Sequence, residues 1–126
     1  MNIGGRFWLE NEGDALVGHG RIELLERIHS CGSISEAAKS MKMGYKAAWD
    51  TIDAINRVAR EPVVTRTKGG RSGGGSQLTP YGLALIEAFR SMEREHRLFL
   101  DALRIKYAAA LSPGKFCSQI VNSFKN

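Results

Sequence analysis

Two cysteines, three prolines and no apolar run long enough to span a bilayer leave this 126-residue chain few classes to belong to. Cys31 and Cys117 are too few and too far apart for a disulfide framework, so a reduced, cytoplasmic setting is expected. The start of the chain lacks the basic-then-apolar pattern of a signal peptide, and no membrane partner is expected. Metal-ligand spacing is lacking too. His19, His29 and His96 are scattered, and His29 and Cys31, two apart on a helix, point to different faces. Cys31 reads as a small packed residue. Glu87, Glu93, Glu95 and Asp101 alternate with arginines, the pattern of a solvated helix face. No catalytic constellation can be assembled from these residues, so neither an enzyme nor a cofactor is expected.

One further absence is local. Between Glu61 and Glu87 there is no acidic residue, while Arg66, Lys68 and Arg71 lie in that window. The formal charge of +5 is uneven: six acids face three basic residues up to Glu36, and seven face fifteen from Ala37 onward. A polyanionic partner is favoured. With 43% hydrophobic residues the chain has enough apolar material for one core.

What is present reads mainly as helices. The stretch 6–17, RFWLENEGDALV, suits a hairpin with Phe7–Leu9 and Ala15–Val17 as arms around NEGD. From Arg21 to Cys31, Ile22, Leu25 and Ile28 fall on one helical face, and Gly32 stops the helix. Ser33 and Glu36 fit a capping box for a second helix, and a short KMG turn (42–44) leads to a third at 45–59. There Ala48, Ile52, Ile55 and Ala59 make the core stripe. PVVTRT and SQLT then read as two strands of a hairpin whose tip is glycine-rich. Thr79 and Pro80 suit the cap and first residue of a long helix. In it Leu85, Phe89, Met92, His96, Phe99 and Leu103 repeat as a heptad seam. Through about Ala109 that helix is ~45 Å long at 1.5 Å per residue, so a second copy of the chain is its natural cover. The tail has a weak stripe of Phe116, Ile120 and Phe124.

The glycine-rich segment 66–82, RTKGGRSGGGSQLTPYG, poses a choice between nucleotide and nucleic-acid phosphates. A Walker-type loop ends in GK[ST] at a helix start, and this one runs into a strand-like QLT. A dinucleotide fingerprint needs a βαβ setting, and the order of elements is wrong. A hairpin tip with incidental charge is the bland reading. Two short helices with a tight turn lie immediately upstream, however, which is the helix-turn-helix pattern, and a basic hairpin after it is a wing. In that reading Arg66, Lys68 and Arg71 reach phosphates or the minor groove. Lys46 suits a guanine edge or a phosphate, and Tyr45 either a phosphate, a thymine methyl or a packed flank. Trp49 follows core residue Ala48 and is divided between core packing and the DNA face.

The segment GSISEAAKSMKMGYKAAWDTIDAIN, followed by VTRTKGGRSGGGSQLTPYG, closely resembles the winged-helix domain of ModE-type molybdate-responsive transcriptional regulators. LysR-type winged helices are more distantly similar. The resemblance covers roughly 20–90 and is carried by YKAAWD, GGRSGGG and LTPYG. It implies a homodimer joined through the long helix, with paired recognition helices and wings on a palindromic operator in double-stranded DNA. Family members usually show serine where Gly44 stands. Their oxyanion sensor is a C-terminal pair of small β-barrels, and with the chain ending at Asn126 the resemblance implies a regulator without molybdate-binding domains.

The expected fold is therefore mainly α with a small β part: a winged helix-turn-helix plus a long C-terminal dimerisation helix. Residues 1–110 are expected to form the DNA-binding domain, with the wing at about 62–79 and the long helix at about 80–109; 111–126 is a short tail. The rival expectation is a protein-interaction module, pairing with a paralogous full-length regulator without strong DNA binding of its own.

Overall fold

Asn11, Glu12, Gly13 and Asp14 show how local chemistry sets the first element. Glu12 and Gly13 both have positive φ, 51° and 86°, the backbone of a two-residue type I′ hairpin turn. That turn joins β1 (Leu9–Asn11) to β2 (Asp14–Val17), with Asn11 opposite Asp14 and Glu10 opposite Ala15. The strands thus start later on the first arm than the alternation predicts. Phe7 lies outside the sheet and stacks on Phe89, ring centroids 4.7 Å apart. Asn11 Nδ2 donates to the Val58 carbonyl (2.7 Å) and Arg60 pairs with Glu12, so the turn is tied to the end of the third helix.

The computed structural model describes residues 1–67 and 75–112. It continues with α1 (His19–Cys31), α2 (Ile34–Ser40), α3 (Tyr45–Ala59), β3 (Val64–Arg66), β4 (Ser76–Leu78) and α4 (Pro80–Ala108). The predicted stripe of Phe116, Ile120 and Phe124 lies outside the described residues.

Helix α1 begins two residues before the periodicity predicts and ends where Gly32, at φ 71°, returns its N–H to the Ile28 carbonyl at 2.7 Å. Ile22, Leu24, Leu25 and Ile28 are buried. Cys31 is exposed, contrary to the expected packed cysteine, because it sits in the last turn past the buried row. Ser33 caps α2, its hydroxyl accepting the Glu36 N–H at 3.2 Å. Arg27 fastens α1 to the other end of α2, donating to the Ser40 carbonyl and hydroxyl at 2.9 Å each. Ala37 and Ala38 of α2 and Ala48, Ile52 and Ile55 of α3 are buried, so small side chains let the two helices pack close to their neighbours.

The second hairpin is antiparallel, with Val64 opposite Leu78 and Arg66 opposite Ser76. Its stem closes where Thr67 N–H donates to the Gly75 carbonyl and Gly75 N–H to Thr67 Oγ1, both at 2.9 Å. Ser76 N–H reaches the Gly32 carbonyl at 3.1 Å, fixing β4 to the end of α1. Thr79 caps α4, its Oγ1 accepting the Gly82 N–H at 3.0 Å, and donates to the Pro62 carbonyl at 2.7 Å. Gly82 has a steric reason. A Cβ there would lie 2.3 Å from the Val63 carbonyl oxygen.

The chain divides into two compact units, Phe7–Arg90 and Met1–Arg6 with the segment from Ser91 onward. The first holds the core, including Leu85 (7% exposed) and Phe89 (0%) of α4. Glu26 and Arg90 form a half-buried, two-pronged pair between α1 and α4. In the second unit Gly5 lies against His96 and Leu100, whose atoms would be 3.2 Å from a Cβ on it.

The residues of the predicted seam differ in burial within the chain. Leu85 and Phe89 face their own chain's core, with the Phe89 ring stacked on Phe7 and in edge-to-face contact with His19. Met92 (42%) and Phe99 (52%) are exposed, and His96 and Leu103 are half-buried.

Candidate nucleic-acid interface

The first turn of α3 starts at Tyr45, which is 57% exposed. One turn on, the Trp49 ring lies edge-to-face with that of Tyr45, centroids 6.3 Å apart. Arg66, at the end of β3, places its guanidinium 4.3 Å from the centre of the Trp49 ring. A cation on an indole face gains about 0.5–1 kcal/mol at an exposed site. Three residues predicted from two different elements, Tyr45, Trp49 and Arg66, are thereby brought together. Arg66 has no ion-pair partner among the described residues.

Trp49 meets the core-packing side of its divided expectation. It is half-buried and packs on the core cluster while bordering the surface. Its indole Nε1 is buried with no hydrogen-bond partner. An unmade bond of that kind costs about 1–3 kcal/mol.

Lys46 stands apart from this cluster, its ammonium 3.1 Å from Asp50 one turn along α3. Both side chains are largely in solvent, so the pair contributes well under ~1 kcal/mol and gives way easily to a stronger anion. Lys68 and Arg71 lie outside the described residues.

The sequence reading missed the serines. Ser33, Ser35 and Ser76, with Ile34 and Gly75, line a cleft of about 160 Å³ together with Tyr45, Trp49 and Arg66. Ser33 was legible only as a cap, and no periodicity connects β4 with the start of α2. Among the described residues, no group of three His, Cys, Asp or Glu side chains could hold a metal ion. No helix among them is long and apolar enough to cross a membrane.

Two short helices joined by a tight turn, an antiparallel hairpin after them and a long capped helix define the winged helix-turn-helix class. No family model matches the chain. Known proteins do. The chain is similar to ModE-type transcriptional regulators. It is 46% identical to the "Molybdenum transport protein ModE" of Azotobacter vinelandii over 98 residues, 78% of this chain and 36% of that protein. It is 43% identical to the "Transcriptional regulator ModE" of Haemophilus influenzae over 74 residues, 59% of this chain and 29% of the relative. Against the "DNA-binding transcriptional dual regulator ModE" of Escherichia coli it is 40% identical over 83 residues, 66% of this chain and 32% of the relative. The matches thus span about a third of the length of these relatives.

Proposed function

We propose that this chain binds specific duplex DNA as a homodimer and regulates transcription. The observation that carries this reading is the joining of Tyr45, Trp49 and Arg66 on one surface, where the start of α3 meets the stem of the basic hairpin. Tyr45 and Lys46 enter the major groove on the first turn of α3, and Arg66, with Lys68 and Arg71 in the hairpin tip, holds the phosphate backbone. Phosphate contacts supply most of the affinity and α3 selects the site. The name of the Escherichia coli relative, which includes DNA binding, supports the same reading. Met92 and Phe99, with His96 and Leu103, are the part of α4 that meets the second copy, and a two-fold dimer calls for a palindromic operator.

Fluorescence anisotropy tests this against duplexes tiled across the chain's own upstream region and a scrambled control, each at two salt concentrations. One fragment bound far more tightly than the scramble, with both weakening steeply in salt, is the expected result. Equal and feeble binding everywhere overturns it. That outcome favours a mixed-dimer module pairing with a paralogous regulator, for which exposed Met92, Leu98 and Phe99 are a suitable face.

A further inference from the structure

Helix α4 carries a second apolar row besides Met92, His96, Phe99 and Leu103. Leu98, Ala102 and Ile105, with Ala109 just past the helix end, recur at steps of four, three and four. All four are exposed, Leu98 and Ile105 at 68% and 69%. At 3.6 residues per turn this row lies roughly a third of a turn around the helix from the first, so a partner helix seated on one leaves the other largely uncovered. Asp101, three residues after Leu98 and four before Ile105, edges the second row. It is exposed, has no ion-pair partner among the described residues, and is the only acid after Glu95.

The end of α4 suits a reversal. Leu111 N–H donates to the Tyr107 carbonyl at 3.1 Å and Ser112 Oγ to the Ala108 carbonyl at 3.0 Å, closing the last turn. Pro113, with Gly114 after it, has no N–H to carry that pattern on. The sequence from Lys115 to Lys125, outside the described residues, holds two lysines, no acid and the apolar residues Phe116, Ile120 and Phe124 at steps of four.

We propose that this tail turns back at Pro113–Gly114 and docks as a short antiparallel helix on the second row of α4. The spans agree. At 1.5 Å per residue, Ile120 and Phe124 lie about 9 and 15 Å past Gly114, whereas Ala109, Ile105 and Ala102 lie about 6, 12 and 16 Å before Pro113. Ile120 therefore seats between Ala109 and Ile105, and Phe124 between Ile105 and Ala102. Lys125 arrives within reach of Asp101, the one acid available to it. Leu98, about 22 Å before Pro113, stays clear of the tail. The first row remains open to a second copy.

Amide hydrogen exchange in the ¹⁵N-labelled full chain tests this without DNA, so the outcome is separate from the DNA reading. A helix of this length is marginal by itself, so slow exchange in the tail reports docking. The amides from Ile120 to Phe124 should exchange roughly tenfold or more slowly than in a free chain, as burial of an isoleucine side chain provides. Ile105→Asp should return them to free-chain rates while the α1 and α3 amides keep theirs, and Phe124→Asp should do the same from the tail side. Leu98→Asp should leave the tail rates unchanged. Free-chain rates in the wild type, or slow rates that survive both Ile105→Asp and Phe124→Asp, overturn the proposal. So does loss of the slow rates in Leu98→Asp. Labelled wild type mixed with excess unlabelled Ile105→Asp chain identifies the row's owner. Tail rates that stay slow place the row on the tail's own chain, and free-chain rates give it to the second copy and overturn the proposal.

Discussion

The two ends of α4 share one sequence rhythm and have different surroundings. From Pro80 to Arg90 the helix is capped by Thr79, buries Gly82, Leu85 and Phe89, and is paired to α1 through Glu26. From Ser91 on, Met92, Leu98, Phe99 and Ile105 stand exposed. Apolar spacing identifies a helical face but says nothing of what covers it. In the first half the cover comes from Phe7, His19 and the core, residues remote in sequence. In the second half no described residue covers those four side chains.

Substitutions along α4 can break that contrast. Phe89→Ala should have the largest effect, about 3–5 kcal/mol of lost stability, read as a fall in thermal midpoint. A loss under ~1 kcal/mol would mean the Phe7–Phe89 stack contributes little. Gly82→Ala comes next. The Val63 carbonyl forces α4 to shift, which costs ~3 kcal/mol, and alanine returns only ~1 kcal/mol as the better helix former. A raised midpoint would show that the helix start has room to move. Smallest is Phe99→Ala, expected within ~0.5 kcal/mol of wild type in dilute solution where copies are apart. A loss as large as that for Phe89 would reveal cover within the chain itself. In concentrated solution the same variant should scatter light as a lighter species than wild type, and an unchanged mass would remove Phe99 from the proposed self-association.

Much of the fold was legible because its signals are local. The bounds of α3, the stop at Gly32, the Ser33 cap and the Thr79–Pro80 start each depend on a few neighbouring residues. The strands of the second hairpin and mainly helical class followed from composition and order. What spacing could not reach was decided by partners far along the chain. Phe7 left its predicted strand for the Phe89 ring, and Leu85 and Phe89 turn into the core. Cys31 sits beside the apolar row of α1 in sequence but lies where the helix leaves the core. At the candidate site, Tyr45, Lys46 and Arg66 were marked by residue type and position. The stacking of Arg66 on Trp49 and the cleft between Ser33 and Ser76 join elements no periodicity connects.

The stem of the second hairpin fixes its own register. Thr67 and Gly75 hydrogen-bond to one another twice, and the next residue, Ser76, is fastened to Gly32. Register is therefore set below the tip by two backbone bonds and by the hydroxyl of Thr67, the one side chain that takes part. Gly75 is the part that must stay, because a Cβ there would come within 2.8 Å of the Gly32 carbonyl oxygen.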